Sequence, residues 1–150
     1  MLKIDCGKMT KTVAEKMGIK ENARSIFIHE PENVVALIKS PHITIETELN
    51  GDFDYIHFFV VTQKDFHDKF PNLKKHLGKD GSLWVSWPKS GKENTDLNIK
   101  SVIKIGYEYG LVESKCLSVN QTWSALKFTH PKKGKGYNNS YGELKINQNK

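Results

Sequence analysis

The run Asp54-Tyr55-Ile56-His57-Phe58-Phe59-Val60-Val61 constrains this chain more than any other segment. It is almost continuously apolar and rich in aromatic and β-branched residues. It is too short for a buried helix. Runs of this kind mark strands buried on both faces, and such strands belong to parallel sheets covered by helices. Parallel neighbours need long crossovers, so helical segments are expected on either side of it.

The flanking sequence supplies them. Thr10 to Met17 reads as a short helix, with Thr10 as cap and Gly18 as stop. Ala23 to His29 reads as a strand. Pro31 opens a helical turn whose apolar face is Val34, Val35, Leu37 and Ile38, broken at Ser40-Pro41. His42 to Leu49 alternates like a half-buried strand, and Asn50-Gly51-Asp52 is a turn signal. After the apolar run, Phe66, Phe70, Leu73 and Leu77 share a helical face from about Gln63, with Pro71 expected to split the helix. Lys79-Asp80-Gly81 reads as a tight turn before a strand from Ser82 to Trp87. Thr95 or Asp96 is placed to cap a helix carrying Ile99, Val102, Ile103 and Tyr107, ended by Gly110. Leu111 to Val119 and Trp123 to Thr129, joined by Asn120-Gln121-Thr122, read as an antiparallel hairpin. The expectation is one α/β domain over residues 1–131, followed by a basic, mobile tail over 132–150.

Composition narrows the class. A chain of 150 residues buries one real core without staples. No apolar run approaches the ~18 residues of a membrane span, and the N-terminus lacks the apolar stretch of a secretion signal. Cys6 and Cys116 make neither a disulfide framework nor a zinc site, which suits free thiols in the cytoplasm. The formal net charge is +6, from 23 Lys+Arg against 17 Asp+Glu, but Arg24 is the single arginine. Lysine without arginine favours a solvated surface over bidentate phosphate recognition.

Leu77-Gly78-Lys79-Asp80-Gly81-Ser82-Leu83-Trp84-Val85-Ser86-Trp87-Pro88 is similar to the place in class I methyltransferases where a helix ends, a glycine turn follows and the fifth strand begins. The following helix, Gly110-Leu111-Val112 and the terminal hairpin match the end of that fold. A closer resemblance is to a family of small uncharacterised bacterial proteins. It is carried by Leu83-Trp84-Val85-Ser86-Trp87-Pro88-Lys89, Thr95-Asp96-Leu97, Gly110-Leu111-Val112 and Thr122-Trp123-Ser124-Ala125-Leu126-Lys127-Phe128, with Val13 to Lys20 and Glu30-Pro31 also fitting. That family carries no assigned activity. Both resemblances imply a three-layer, Rossmann-like α/β sandwich. Its sheet would be mostly parallel with an antiparallel C-terminal hairpin, methyltransferase-like but one strand–helix unit short.

The residues weigh against several chemistries. A nucleotide-binding βαβ unit brings glycines close to its cofactor after the first strand. The stretch here, Ile28-His29-Glu30-Pro31-Glu32-Asn33, has none, so no cofactor is expected, although the resemblance leaves adenosylmethionine open. Glu46 or Glu48 stands near the end of the second strand, where a carboxylate can hold ribose hydroxyls. The six histidines and two cysteines show no metal-ligand spacing, and His57 within its apolar strand reads as a satisfied core histidine. No nucleophile elbow or phosphate loop is present.

Ligands of open α/β sheets bind beyond the carboxyl ends of the strands. His29, Glu30, Gln63, Trp87, Lys89, Thr95 and Asp96 should gather there and form a candidate ligand site. Trp84 and Trp87, at odd spacing, point to opposite faces, so at least one is core. The reading is a non-catalytic domain that binds a small molecule or a protein. The alternatives are an enzyme acting on a small nucleoside-bearing or anionic substrate, and a nucleic-acid-binding accessory protein using Lys132-Lys133-Gly134-Lys135-Gly136-Tyr137.

Overall fold

The computed structural model describes residues 17–19, 22–32 and 44–132. Within them the chain runs β1 (Arg24–Ile28), β2 (Thr44–Glu46), β3 (Phe53–Phe59), α1 (Gln63–Lys75), β4 (Leu77–Pro88), a 3-10 segment (Lys89–Asn94), α2 (Ile99–Glu108), β5 (Val112–Ser118) and β6 (Trp123–Thr129). The strands form one sheet in the order β2-β1-β3-β4-β6-β5. β1 is parallel to β2 and β3, β3 is parallel to β4, and β6 is antiparallel to both its neighbours. This is the expected Rossmann-like α/β sheet with its antiparallel terminal hairpin.

The apolar run becomes β3, in the middle of the sheet. Ile56 and Phe58 face α1 and α2, packing with Val85, Phe66, Phe70 and Val102 in the larger core. Tyr55 and Phe59 face the other way, with Phe27, Trp84, Ala125 and Met17. Trp84 and Trp87 fall in different clusters, as their spacing requires, and both are buried. Of the helix read at Thr10–Met17, only Met17 is among the described residues. The helix read after Pro31 and the tail beyond Lys132 lie outside them.

Four expectations are corrected. Pro71 does not split α1, which is continuous. The missing N–H and the ring clash cost about 3 kcal/mol, but Phe66, Phe70 and Leu73 hold the helix on the sheet. Lys79-Asp80-Gly81 is no turn between elements but an irregularity inside β4. Phe53 pairs with Leu77 while Tyr55 pairs with Ser82, so β4 carries extra residues opposite β3. Gly81 permits this, because a Cβ there would stand 2.7 Å from the Phe53 carbonyl oxygen. The cap of α2 is Asn98 and not Thr95 or Asp96: Asn98 Oδ1 accepts from Ser101 N and Ser101 Oγ accepts from Asn98 N, both at 3.0 Å. Finally, β2 spans three residues, against the longer strand expected.

That short strand explains the trimmed sheet. Residues 47–52 alone connect β2 to β3 across β1, leaving no room for another strand–helix unit. Crossovers between parallel strands usually need a dozen residues or more. Here β2 pairs only with Arg24, Ser25 and Ile26, so the chain has little distance to return. Arg24 secures the return. Its guanidinium donates to Asn50 O and Asp52 O at 2.8 Å and to Asn50 Oδ1 at 2.9 Å, and lies 4.1 Å over the Phe53 ring.

Candidate functional site

β1, β3 and β4 are parallel neighbours, so their last residues, Ile28, Phe59 and Pro88, open onto one edge of the sheet. The chain reverses its direction of sheet growth between β1 and β3, which makes the crevice above them the topological switch point. All seven candidate residues follow these strands or lie near the end of one, as the sequence predicts. Their side chains do not form one cluster.

His29 follows β1 with φ 59°, a left-handed conformation that a non-glycine residue adopts at a cost of order 1 kcal/mol. Its ring lies 6.3 Å from that of Phe58, and Glu30 beside it is exposed. Gln63 begins α1 and is bound to Asp96. The Asp96 carboxylate accepts from Gln63 N at 2.8 Å, and the Gln63 amide donates to Asp96 O at 2.9 Å. The Thr95 hydroxyl donates to Val61 O and accepts from Leu97 N. Thr95 and Asp96 thus form a latch between the β3–α1 junction and the approach to α2. Asp96 fills a position at the head of α1 that would otherwise suit an anionic ligand.

Trp87 and Lys89 lie on the other side of the latch. They border a cleft of about 420 Å³ with Ser90, Gly91, Leu97, Asn98, Ile99, Cys116 and Ser124. Cys116 pairs with Leu126 across β5 and β6, which puts its side chain on the α2 side of the sheet. The cleft therefore lies between the start of α2 and the hairpin, roofed by the 3-10 segment. Lys89 reaches over it, its Nζ donating to Ser118 Oγ at 2.5 Å. Ser90 and Gly91 have φ 50° and 74°, and both residues are exposed. Burial pushes the Cys116 thiol up from its usual pKa, which disfavours the thiolate.

Among the described residues, the other titratable groups with displaced pKa values are inside the sheet. His57 Nδ1 is 2.7 Å from the Tyr55 hydroxyl, and His57 Nε2 is 2.6 Å from Ser86 Oγ. Tyr55 in turn donates to Met17 Sδ at 3.3 Å. One arrangement of protons satisfies the whole chain: Ser86 donates to Nε2, Nδ1–H donates to Tyr55, and Tyr55 donates to Met17. Burial lowers the His57 pKa to about 3 and raises that of Tyr55. The imidazole is thus neutral and stacked on Phe59, with ring centroids 4.2 Å apart. His57 is the satisfied core histidine that the sequence predicts. The partnership with Ser86 was missed; its only sequence trace is the polar residues on alternate positions of two apolar strands.

Two further cavities open at the opposite, amino edge of the sheet. One of about 770 Å³ is bordered by Lys79, Asp80, Lys127 and His130, the other of about 200 Å³ by Gly18, Asn22, Asp54 and Asp80. The sequence predicts no site there. Among the described residues no group of three or more His, Cys, Asp or Glu side chains is arranged to hold a metal ion. No helix among them is long and apolar enough to cross a membrane.

The switch-point crevice does not fit the cradle that a nucleoside cofactor uses in such folds. The first turn carries His29 and Glu30 in place of glycine, and Pro31 has no N–H to offer. Glu46 is paired with Arg24 at 3.7 Å, engaged by the group that ties down the crossover.

No family model and no curated protein matches the chain. Solved structures do. A TehB-like SAM-dependent methyltransferase from Corynebacterium glutamicum superposes with TM-score 0.53 at 11% identity, covering 83% of this chain and 91% of that one. Magnesium protoporphyrin IX methyltransferase from Synechocystis, with bound SAM, gives 0.54 at 11% identity over 79% of this chain and 74% of its own. A 1,6-didemethyltoxoflavin-N1-methyltransferase from Burkholderia thailandensis gives 0.54 at 9% identity, covering 80% and 75%. With the strand order and terminal hairpin above, these likenesses show that the chain has the Rossmann-like fold of the class I SAM-dependent methyltransferases.

Proposed function

We propose that this chain is a non-catalytic ligand-binding domain of the cytoplasm, built on a methyltransferase scaffold, with its ligand at the carboxyl edge of the sheet beside Trp87 and Lys89. One observation carries the reading. Beside the switch point, between the ends of β3 and β4, the chain satisfies its own groups, Asp96 on Gln63 and Thr95 on Val61, whereas the cleft beyond the latch is open and bordered by Lys89. The glycine-free first turn and the commitment of Glu46 to Arg24 argue in the same direction. The strongly displaced histidine, His57, is locked neutral in the core and has no path to a substrate.

Native mass spectrometry of freshly purified protein, followed by thermal shift, tests this. The expected result is a co-purifying small molecule that is lost in Lys89→Ala and retained in Glu30→Ala, with no stabilisation by adenosylmethionine or its demethylated product. A ligand at 100 times its Kd stabilises by about 2.7 kcal/mol, well within detection. Stabilisation by adenosylmethionine that Glu30→Ala abolishes would refute the proposal. It would favour the enzyme reading, which the fold neighbours with bound SAM support.

A further inference from the structure

We infer that the cleft between β4, the start of α2 and the hairpin takes a small organic anion with an apolar body, such as an aromatic or branched carboxylate. The inference rests on the binding role proposed above and names the ligand chemistry of that site.

Charge comes first. Among the described residues Lys89 is the only formally charged side chain bordering the cleft, and no carboxylate among them borders it. Glu93, on the same 3-10 segment, is exposed and does not border the cleft, and Asp96, next to Leu97, is bound to Gln63. Lys89 is held by Ser118, which restrains its ammonium and reduces the conformational entropy that a ligand would have to remove. Its two remaining N–H donors are available to an oxygen anion.

Shape and polarity come second. Trp87 and Leu97 are buried and present apolar surface at the wall, while Ile99 is 40% exposed. Ile99 and Ile45 are the exposed large hydrophobic residues among those described, and Ile99 is the one that borders a cavity with a cation. A wholly polar ion would leave this wall in water, and a neutral apolar molecule would leave Lys89 without a counter-charge. A carboxylate on an apolar body satisfies both. The cleft volume of about 420 Å³ falls within the usual range for small-ligand sites.

The test titrates 15N-labelled full-length protein with benzoate, benzyl alcohol and benzylamine, following the amides of Ser90, Gly91, Leu97 and Ile99. Saturable shifts with benzoate, and none with benzylamine, are expected. Lys89→Gln should weaken benzoate about tenfold. Ile99→Ser, a change at an exposed position, should weaken benzoate while leaving the folded spectrum intact, and so covers the case in which Lys89→Gln fails to fold. Lys79→Gln, at the opposite edge, should change nothing. Benzyl alcohol binding at these amides as tightly as benzoate would overturn the inference about charge and leave the binding role standing. Silence from all three probes would overturn the inference about ligand chemistry, while the binding role is decided by the co-purified ligand and its loss in Lys89→Ala.

Discussion

His57 shows how one buried residue couples stability to pH. Its folded pKa of about 3 lies below the ordinary 6.5, so the unfolded chain binds a proton that the folded chain refuses. The resulting stability is complete above pH 6.5 and is lost as pH falls towards 3. The slope approaches about 1.4 kcal/mol per pH unit inside that window. Urea midpoints measured at pH 7, 6 and 5 should fall accordingly, and His57→Gln should flatten the dependence while lowering stability at pH 7. An unchanged slope in that variant would remove His57 as its origin. The sequence discloses this residue in part. An imidazole in an apolar strand must find partners. Which partners it finds depends on Ser86 arriving on the neighbouring strand, and no local pattern carries that register.

At the scale of elements, α2 is written almost completely into local chemistry. Asn98 and Ser101 close its start with a capping box. At its end Leu111 N bonds Gly106 O at 3.1 Å and Gly110 N bonds Tyr107 O at 3.0 Å, with Gly110 at φ 87°. That is the Schellman arrangement. Gly106 belongs to packing instead: a Cβ there would lie 2.1 Å from the Phe128 ring, which is fully buried. Alanine would gain about 1 kcal/mol of helix propensity, but the clash costs typically 1–3 kcal/mol and often more where a buried ring cannot move. Gly106→Ala should therefore lower stability by about 1–2 kcal/mol in chemical denaturation, and a stabilised variant would contradict this packing. Thr95 and Asp96 misled the sequence reading because both have capping chemistry. The chain approaches α2 in extended form, so their side chains reach sideways to β3 and α1.

Across the whole molecule, the trimmed sheet depends on Arg24. The return from β2 to β3 is short, and the guanidinium satisfies two backbone carbonyls and a side-chain amide while pairing Glu46. Lysine offers no planar fork, so Arg24→Lys should cost about 1–2 kcal/mol and speed amide exchange in β2 before global unfolding. Equal exchange in the two proteins would show that the crossover holds without it. The sole arginine of a lysine-rich chain thus has a structural task that composition recorded only as an oddity. Most strands, their buried faces and the hairpin were legible, because alternation and turn residues act over a few positions; the strand order, and with it the switch point, was not. The continuity of α1 through Pro71, the irregularity within β4, the latch of Asp96 on Gln63 and the reach of Lys89 to Ser118 were not. Each is a balance between a local preference and contacts from segments 10–50 residues away, and only the assembled sheet brings those contacts into range.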